Sequence, residues 1–207
     1  MCNLYRMTKG KDEVAGWFDA IDEMGGANFG EEVYPGYPGA VVAEGQLRQM
    51  NWGFPLVLKG KNGQPLKPKP VNNARLDKLE SYFWHDSFVQ RRCLIPLTGW
   101  AEAEGAKGAM TRTWMSMPDV PIFAAAGLWR KSDEWGDCYS MVMTASEGAQ
   151  CAAVHARMPV ILTPSDYAGW VAGSPEHALG LCRAWAGGLT IDRTLESWVR
   201  GAQSRLL

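Results

Sequence analysis

Apolar positions along the chain recur with two periods, and each period predicts elements. Over residues 11–24, Val14, Trp17, Phe18 and Ile21 recur at helical spacing behind an acidic first turn, and Gly25-Gly26 follow as a stop. That pattern predicts a short amphipathic helix. A second helix is expected over residues 74–90, where Leu76, Leu79, Phe83 and Phe88 recur at mixed three-, four- and five-residue intervals. Residues 165–171 and 175–186 read as helices opened by Ser165 and by Ser174-Pro175. Short strand candidates bounded by Gly or Pro lie between them, at residues 40–43, 92–96, 122–129, 138–144 and 159–162. Helices and strands do not alternate regularly, which disfavours a doubly wound parallel sheet. The expected fold is α+β, a mainly antiparallel sheet curled into a barrel-like core with flanking helices, in a single domain over residues 1–207.

Composition narrows the class. Hydrophobic residues make up 46% of the chain and charged residues 21%, enough for one core and too apolar for a disordered chain. No apolar run approaches the roughly 18 residues of a membrane span, and no basic-then-apolar leader opens the sequence, so a cytoplasmic location is expected. The cysteines Cys2, Cys93, Cys138, Cys151 and Cys182 are odd in number and never form C-x-x-C, which argues against a disulfide framework or a zinc knuckle. His85, His155 and His177 make no H-E-x-x-H. No metal and no cofactor is expected, and the protein is expected to act as a monomer.

The net charge of -1 conceals a segregation. Residues 1–45 hold 8 acids and 3 bases, residues 46–93 hold 3 acids and 9 bases, and residues 94–207 hold 11 acids and 9 bases. A basic belt of about +6 therefore occupies the middle of the chain. Within it Lys59, Lys61, Lys67 and Lys69 sit in K-G-K-N-G-Q-P-L-K-P-K-P, whose Gly and Pro demand a loop or an extended arm. Such an arm is either a solvated surface loop or a contact for phosphates.

Four places carry candidate chemistry. Cys2 follows Met1, and removal of Met1 would leave an α-amine (pKa about 7.7–8.0) and a thiol (about 8.5) on one Cα. A 1,2-aminothiol captures an aldehyde as an imine that the thiol closes into a thiazolidine; it can also act as an N-terminal nucleophile in acyl transfer. In H-A-R-M-P, residues 155–159, an extended backbone turns His155 and Arg157 to one face, where the cation favours a neutral imidazole. In N-A-R, residues 73–75, Asn73 offers a donor and an acceptor, and Arg75 offers a fork for phosphate. Finally, C-L-I-P-L-T-G-W-A-E, residues 93–102, carries a buried-looking strand through a Gly99 turn to Glu102, a carboxylate placed to serve as acid or base.

Met1-Cys2, W-G-F-P at residues 52–55, N-A-R, C-L-I-P-x-x-G-W-x-E, A-G-L-W at residues 126–129 and H-A-R-M-P before V-I-L together resemble the SRAP family, the SOS response-associated peptidases or abasic-site processing proteins. The resemblance covers roughly residues 1–165. It implies a protein that binds single-stranded DNA, bonds covalently to abasic sites through its leading cysteine, and removes its own leading residue. Carried over by position, Cys2 would be the nucleophile, Asn73 would hold its amino group and the opened sugar, Glu102 would be the acid/base, and His155 would assist ring opening. Arg75 would bind backbone phosphate, and Trp52, Arg157, Lys67 and Lys69 complete the expected DNA-contacting set. The chain departs from the family pattern where M-C-G-R reads M-C-N-L and where G-F-Y-E-W reads G-W-A-E-A, so that Asn3, Leu4, Ala101 and Ala103 stand at altered positions. N-A-R-x-E reads N-A-R-L-D, with Asp77. Two other readings remain: an amidohydrolase using Cys2 with His155 or Glu102, and a DNA-binding module in which Cys2 is incidental.

Overall fold

In the computed structural model, which describes residues 2–27 and 29–198, two continuous apolar runs form one antiparallel hairpin, Phe123–Ser132 against Gly136–Ala145. Phe123–Ser132 pairs on its other side with Arg92–Leu97, which meets Pro38–Ala43 at Val42 and Leu94. Pro38–Ala43 turns into Gln46–Trp52 through Glu44 and Gly45, whose φ of +54° and +75° suit the two-residue turn that matches strand twist. Gln46–Trp52 then returns to Gly136–Ala145 in parallel, Asn51 beside Cys138 and Trp52 beside Tyr139. The circuit closes as a five-stranded barrel, and this parallel seam is its one departure from the antiparallel pattern.

Both faces of the ring are covered, so successive side chains enter different cores. Val42, Leu94, Ala124, Leu128 and Val142 meet the helices, which contribute Val14, Phe88, Trp170 and Ala178. Val41, Met50, Trp52, Ile95 and Met141 meet a second sheet, which contributes Tyr5, Trp100 and Met115. That sheet runs in the order Thr190–Ser197, Thr111–Ser116, Gly99–Glu104, Tyr5–Arg6, Glu32–Val33. Arg92, 6% exposed, donates to the main-chain oxygens of Phe88, Val89, Trp170 and Gly173, so one cation of the basic belt binds two helices to the barrel.

Several expected elements are corrected. The helix expected over 11–24 stops at Trp17: Asp19 turns with φ +48°, and Ile21, 65% exposed, begins a two-residue strand parallel to Gln46–Trp52. The helix expected over 74–90 is instead the strand Asn73–Arg75, a 3-10 turn at Leu76–Lys78 and the helix His85–Gln90. Its mixed apolar spacing never made one face, and Ala74 and Arg75 gain ladder partners in Val142 and Met143. Thr163, not Ser165, opens the next helical stretch, since Asp166 accepts from both its amide and its hydroxyl; the helix proper is Tyr167–Ala172. Ser174 caps Pro175–Leu181 as expected, accepting from the His177 amide at 3.2 Å, but the helix ends at Leu181 rather than 186.

Behind the second sheet the phenols of Tyr5 and Tyr139 hydrogen-bond to each other directly over Gly39. A Cβ at Gly39 would lie 2.2 Å from both phenolic oxygens, and neither ring has free space, each being at most 1% exposed. Gly39→Ala is expected to cost at least ~2 kcal/mol, the scale of an overpacked core, read as a lower denaturant midpoint at unchanged slope. An unshifted midpoint would show that the phenol pair is not fixed in place.

Candidate active site

The segment leading into Tyr5–Arg6 runs antiparallel to Gly99–Glu104, with Tyr5 opposite Trp100 and the Ala101 amide donating to the Leu4 oxygen at 2.9 Å. This pairing draws Cys2 into the core, where it has no exposed surface. Its thiol donates to the Leu4 oxygen at 3.4 Å. Burial first, and the Glu102 carboxyl second, push the thiol well above its ordinary pKa, so it is protonated near neutrality.

The Cys2 carbonyl is held by two amides. Nδ2 of Asn73 donates to it at 2.8 Å and Nδ2 of Asn72 at 2.9 Å. Asn72 also donates to Oδ1 of Asn3 at 3.1 Å, and its own carbonyl accepts from the Trp52 indole and from the Met141 amide, each at 3.0 Å. Asn73 is 7% exposed, and its Oδ1 is buried without a hydrogen-bond partner among the described residues. An orphaned acceptor in such a place is costly and is satisfied by whatever donor enters the site.

Glu102 arrives on Gly99–Glu104 with a side chain 4% exposed, and Nδ1 of His155 lies 3.8 Å from its Oε1. Desolvation raises the Glu102 pKa, partly offset by the charges of His155 and Arg157. The His155 ring is gripped at Nδ1, which lies 2.9 Å from the oxygen and 3.1 Å from the nitrogen of Arg157, so the main chain orients it in either tautomer. Ser146 fixes the same segment, donating from Oγ to the His155 oxygen at 2.5 Å. A protonation-prone carboxyl, an oriented imidazole and a neutral thiol thus share one partly dry site. Such a set can move protons at a carbonyl carbon.

The structure therefore brings Cys2, Asn73, Glu102 and His155 together, with the Arg157 charge acting on Glu102. Arg75 stands on the same strand as Asn73 but is exposed, forked onto Asp77 at 2.9 and 2.7 Å. Trp52 is fully buried, so its ring is a prop beneath Asn72 and not a surface for a base. Lys67 is exposed on the arm between the paired strands Phe54–Leu56 and Lys69–Val71, and Lys69 is exposed at the start of the second. Arg48 and Arg91 pair with Glu44 and Asp86, and Arg92 is buried, so the belt does not form one continuous cationic face. Sequence reasoning missed Asn72, whose sole signal was an asparagine doubled ahead of Ala-Arg. Among the described residues no group of three His, Cys, Asp or Glu side chains is arranged to hold a metal ion, and no helix is long and apolar enough to cross a membrane.

Over residues 1–193 the chain matches the family described as SOS response associated peptidase (SRAP). No curated protein matches its sequence. Among solved structures, a protein of Bordetella bronchiseptica is 20% identical with a TM-score of 0.77, over 93% of this chain and 99% of that one. A protein of Bacteroides thetaiotaomicron is 17% identical with a TM-score of 0.75, over 93% and 91%. A phage-related protein of Bordetella bronchiseptica is 18% identical with a TM-score of 0.68, over 93% and 94%. At these identities the likeness is one of fold.

The raised pKa of Glu102 has a sign that stability measurements read. A folded pKa above the ordinary 4.5 means that the neutral carboxyl's contribution is complete below that value and is lost as pH rises through the folded pKa. Glu102→Gln, neutral throughout, is expected to match the wild type in Tm near pH ~4 and to exceed it by a few degrees above pH ~7, at about 2–4 °C per kcal/mol. A Tm difference that does not change with pH would remove the case for a desolvated carboxyl.

Proposed function

Since the chain belongs to the SOS response associated peptidase (SRAP) family, we propose that it is a DNA-damage protein that captures abasic sites in single-stranded DNA as a thiazolidine on Cys2, after Met1 is removed by the protein's own peptidase activity. The observation that carries this reading is the double amide grip on the Cys2 carbonyl beside the Glu102 and His155 pair. Clamping residue 2 by its carbonyl leaves its amine and thiol as the groups that react, and Oδ1 of Asn73 is an acceptor placed to orient the freed amine.

The steps balance with these residues. The amine adds to the aldehyde of the opened sugar, and the resulting carbinolamine loses its hydroxyl to give an iminium ion. Glu102, whose pKa burial raises, donates the proton that lets hydroxide leave as water. The thiol then adds to the iminium carbon and closes the ring, leaving the nitrogen a neutral secondary amine. Because burial keeps that thiol protonated, closure requires a base, and Glu102 has just become a carboxylate. The carboxyl is thus regenerated, one water is released overall, and the aldehyde needed for strand-breaking elimination is gone. His155 assists ring opening, exchanging a proton with the sugar oxygen. Arg75, Arg157 and the lysine arm supply phosphate contacts along the strand.

Incubation with an abasic single-stranded oligonucleotide is expected to give a denaturation-resistant adduct, with the protein component lacking Met1 by intact mass. Cys2→Ala is expected to give none, and a normal yield from that variant would refute the proposal. A second expectation concerns Arg75, whose fork is held by Asp77. Asp77→Asn should tighten binding to undamaged single strands several-fold and steepen the slope of log K against log salt by about 0.7, one phosphate's worth. An unchanged slope would exclude Arg75 from the strand contacts.

A further inference from the structure

Next to the Cys2 carbonyl lies a cleft of about 390 Å³, lined by Asn3, Leu4, Tyr34, Pro35, Asn72 and Trp198. Its volume falls within the range of small-molecule sites, roughly 300–1,000 Å³. Among the described residues no charged side chain lines it, and two aromatic residues do. Asn72 belongs to both places, since its amide holds the Cys2 carbonyl while its side faces the cleft. Three of the positions at which the sequence departs from the family pattern, Asn3, Leu4 and Ala101, meet here: Leu4 and Ala101 pack with Trp114, and Tyr34 and Trp198 pack against that trio. Trp198 lies beyond the matched residues 1–193.

Both aromatic residues are anchored, Tyr34 by its hydroxyl and Trp198 by its main chain. The Tyr34 hydroxyl donates to Glu32 at 2.5 Å and accepts from Arg112 at 3.1 Å, and Arg112 in turn bonds Glu32 and Glu196. Trp198 donates its amide to the Met110 oxygen at 2.9 Å, at the end of the strand Thr190–Ser197, which is paired along Thr111–Ser116. Tyr37, 56% exposed, stands edge-on to Tyr34 at 6.3 Å and extends the aromatic surface outward.

We propose that this cleft receives the nucleobase adjacent to the abasic nucleotide, stacked against Trp198 and Tyr34 with its edge toward the Asn3 and Asn72 amides. The proposal rests on the reading of Cys2 as the capture site. An uncharged cleft with aromatic walls and amide groups suits a neutral heterocycle and not a phosphate, and stacking tolerates any base. Filling it sets the register of the strand, so that the position lacking a base falls at Cys2. The aromatic side chains lost at Ala101 and Ala103 are in this way replaced from another strand.

The test uses abasic single strands carrying either a natural base or a base-free tetrahydrofuran spacer on each side of the lesion. Wild-type protein is expected to form adduct about fivefold or more slowly when the spacer replaces one particular neighbour. Trp198→Ala is expected to be as slow on the natural strand and indifferent to that spacer, whereas Tyr34→Phe, which keeps the ring, retains the preference. Wild-type protein indifferent to spacers on both sides overturns the proposal, as does a Trp198→Ala protein, folded by thermal unfolding, that stays as sensitive as wild type. If no abasic strand gives an adduct, the reading of Cys2 fails instead, and the cleft is judged by fluorescence anisotropy with an undamaged labelled strand. There, weaker binding by Trp198→Ala supports the cleft; equal affinity, or no binding by the wild type, overturns it.

Discussion

Everything at the site depends on the Cys2 carbonyl accepting from two asparagine amides at once. The start of a polypeptide is ordinarily frayed, because few contacts repay the entropy of ordering it. Here the cost is offset by the strand pairing of Tyr5 with Trp100 and by complete burial of Cys2, Leu4 and Tyr5. The amides then fix which way residue 2 faces. Trp52 bonds the main chain of Asn72, and the barrel seam holds Trp52 beside Tyr139, so the precision of the site is inherited from the barrel.

Burial also decides the protonation states. A thiol in water would be a partial thiolate and a carboxyl fully ionised, but at this site both are pushed toward their neutral forms by desolvation. A carboxyl of raised pKa next to an oriented imidazole is suited to passing protons in either direction.

Much of the barrel was legible in the sequence, because runs such as A-A-A-G-L-W and C-Y-S-M-V-M-T are apolar enough to mark strands buried on both faces. Q-L-R-Q-M-N-W was not, since its polar residues are accommodated by side-chain bonds such as Arg48 to Gln46 and Asn51 to the Trp135 oxygen. Thr190–Ser197 was missed for a different reason: it is an edge strand whose side chains are mostly exposed, and only its ladder with Thr111–Ser116 defines it. Cys2, Asn73, Glu102 and His155 carried signals in their residue types and spacing. Asn72 carried only its doubling with Asn73, because its bonds to Cys2 and Trp52 come from tertiary neighbours far away in the chain. The basic belt misled in one respect, in that net charge counts Arg92 and Arg75 alike while one is buried among carbonyls and the other is exposed.

The parallel seam between Gln46–Trp52 and Gly136–Ala145 has a consequence for how the protein is made. A ring closed by partners so distant in sequence cannot be completed until most of the chain has left the ribosome, and non-local pairings of this kind form slowly. Glu102 and His155 emerge long after Cys2, and Asn72 is set in place only once the seam exists. The surroundings of Cys2 are therefore acquired on completion of folding. A nascent chain carries its cysteine before the groups that surround it in the folded protein are in place.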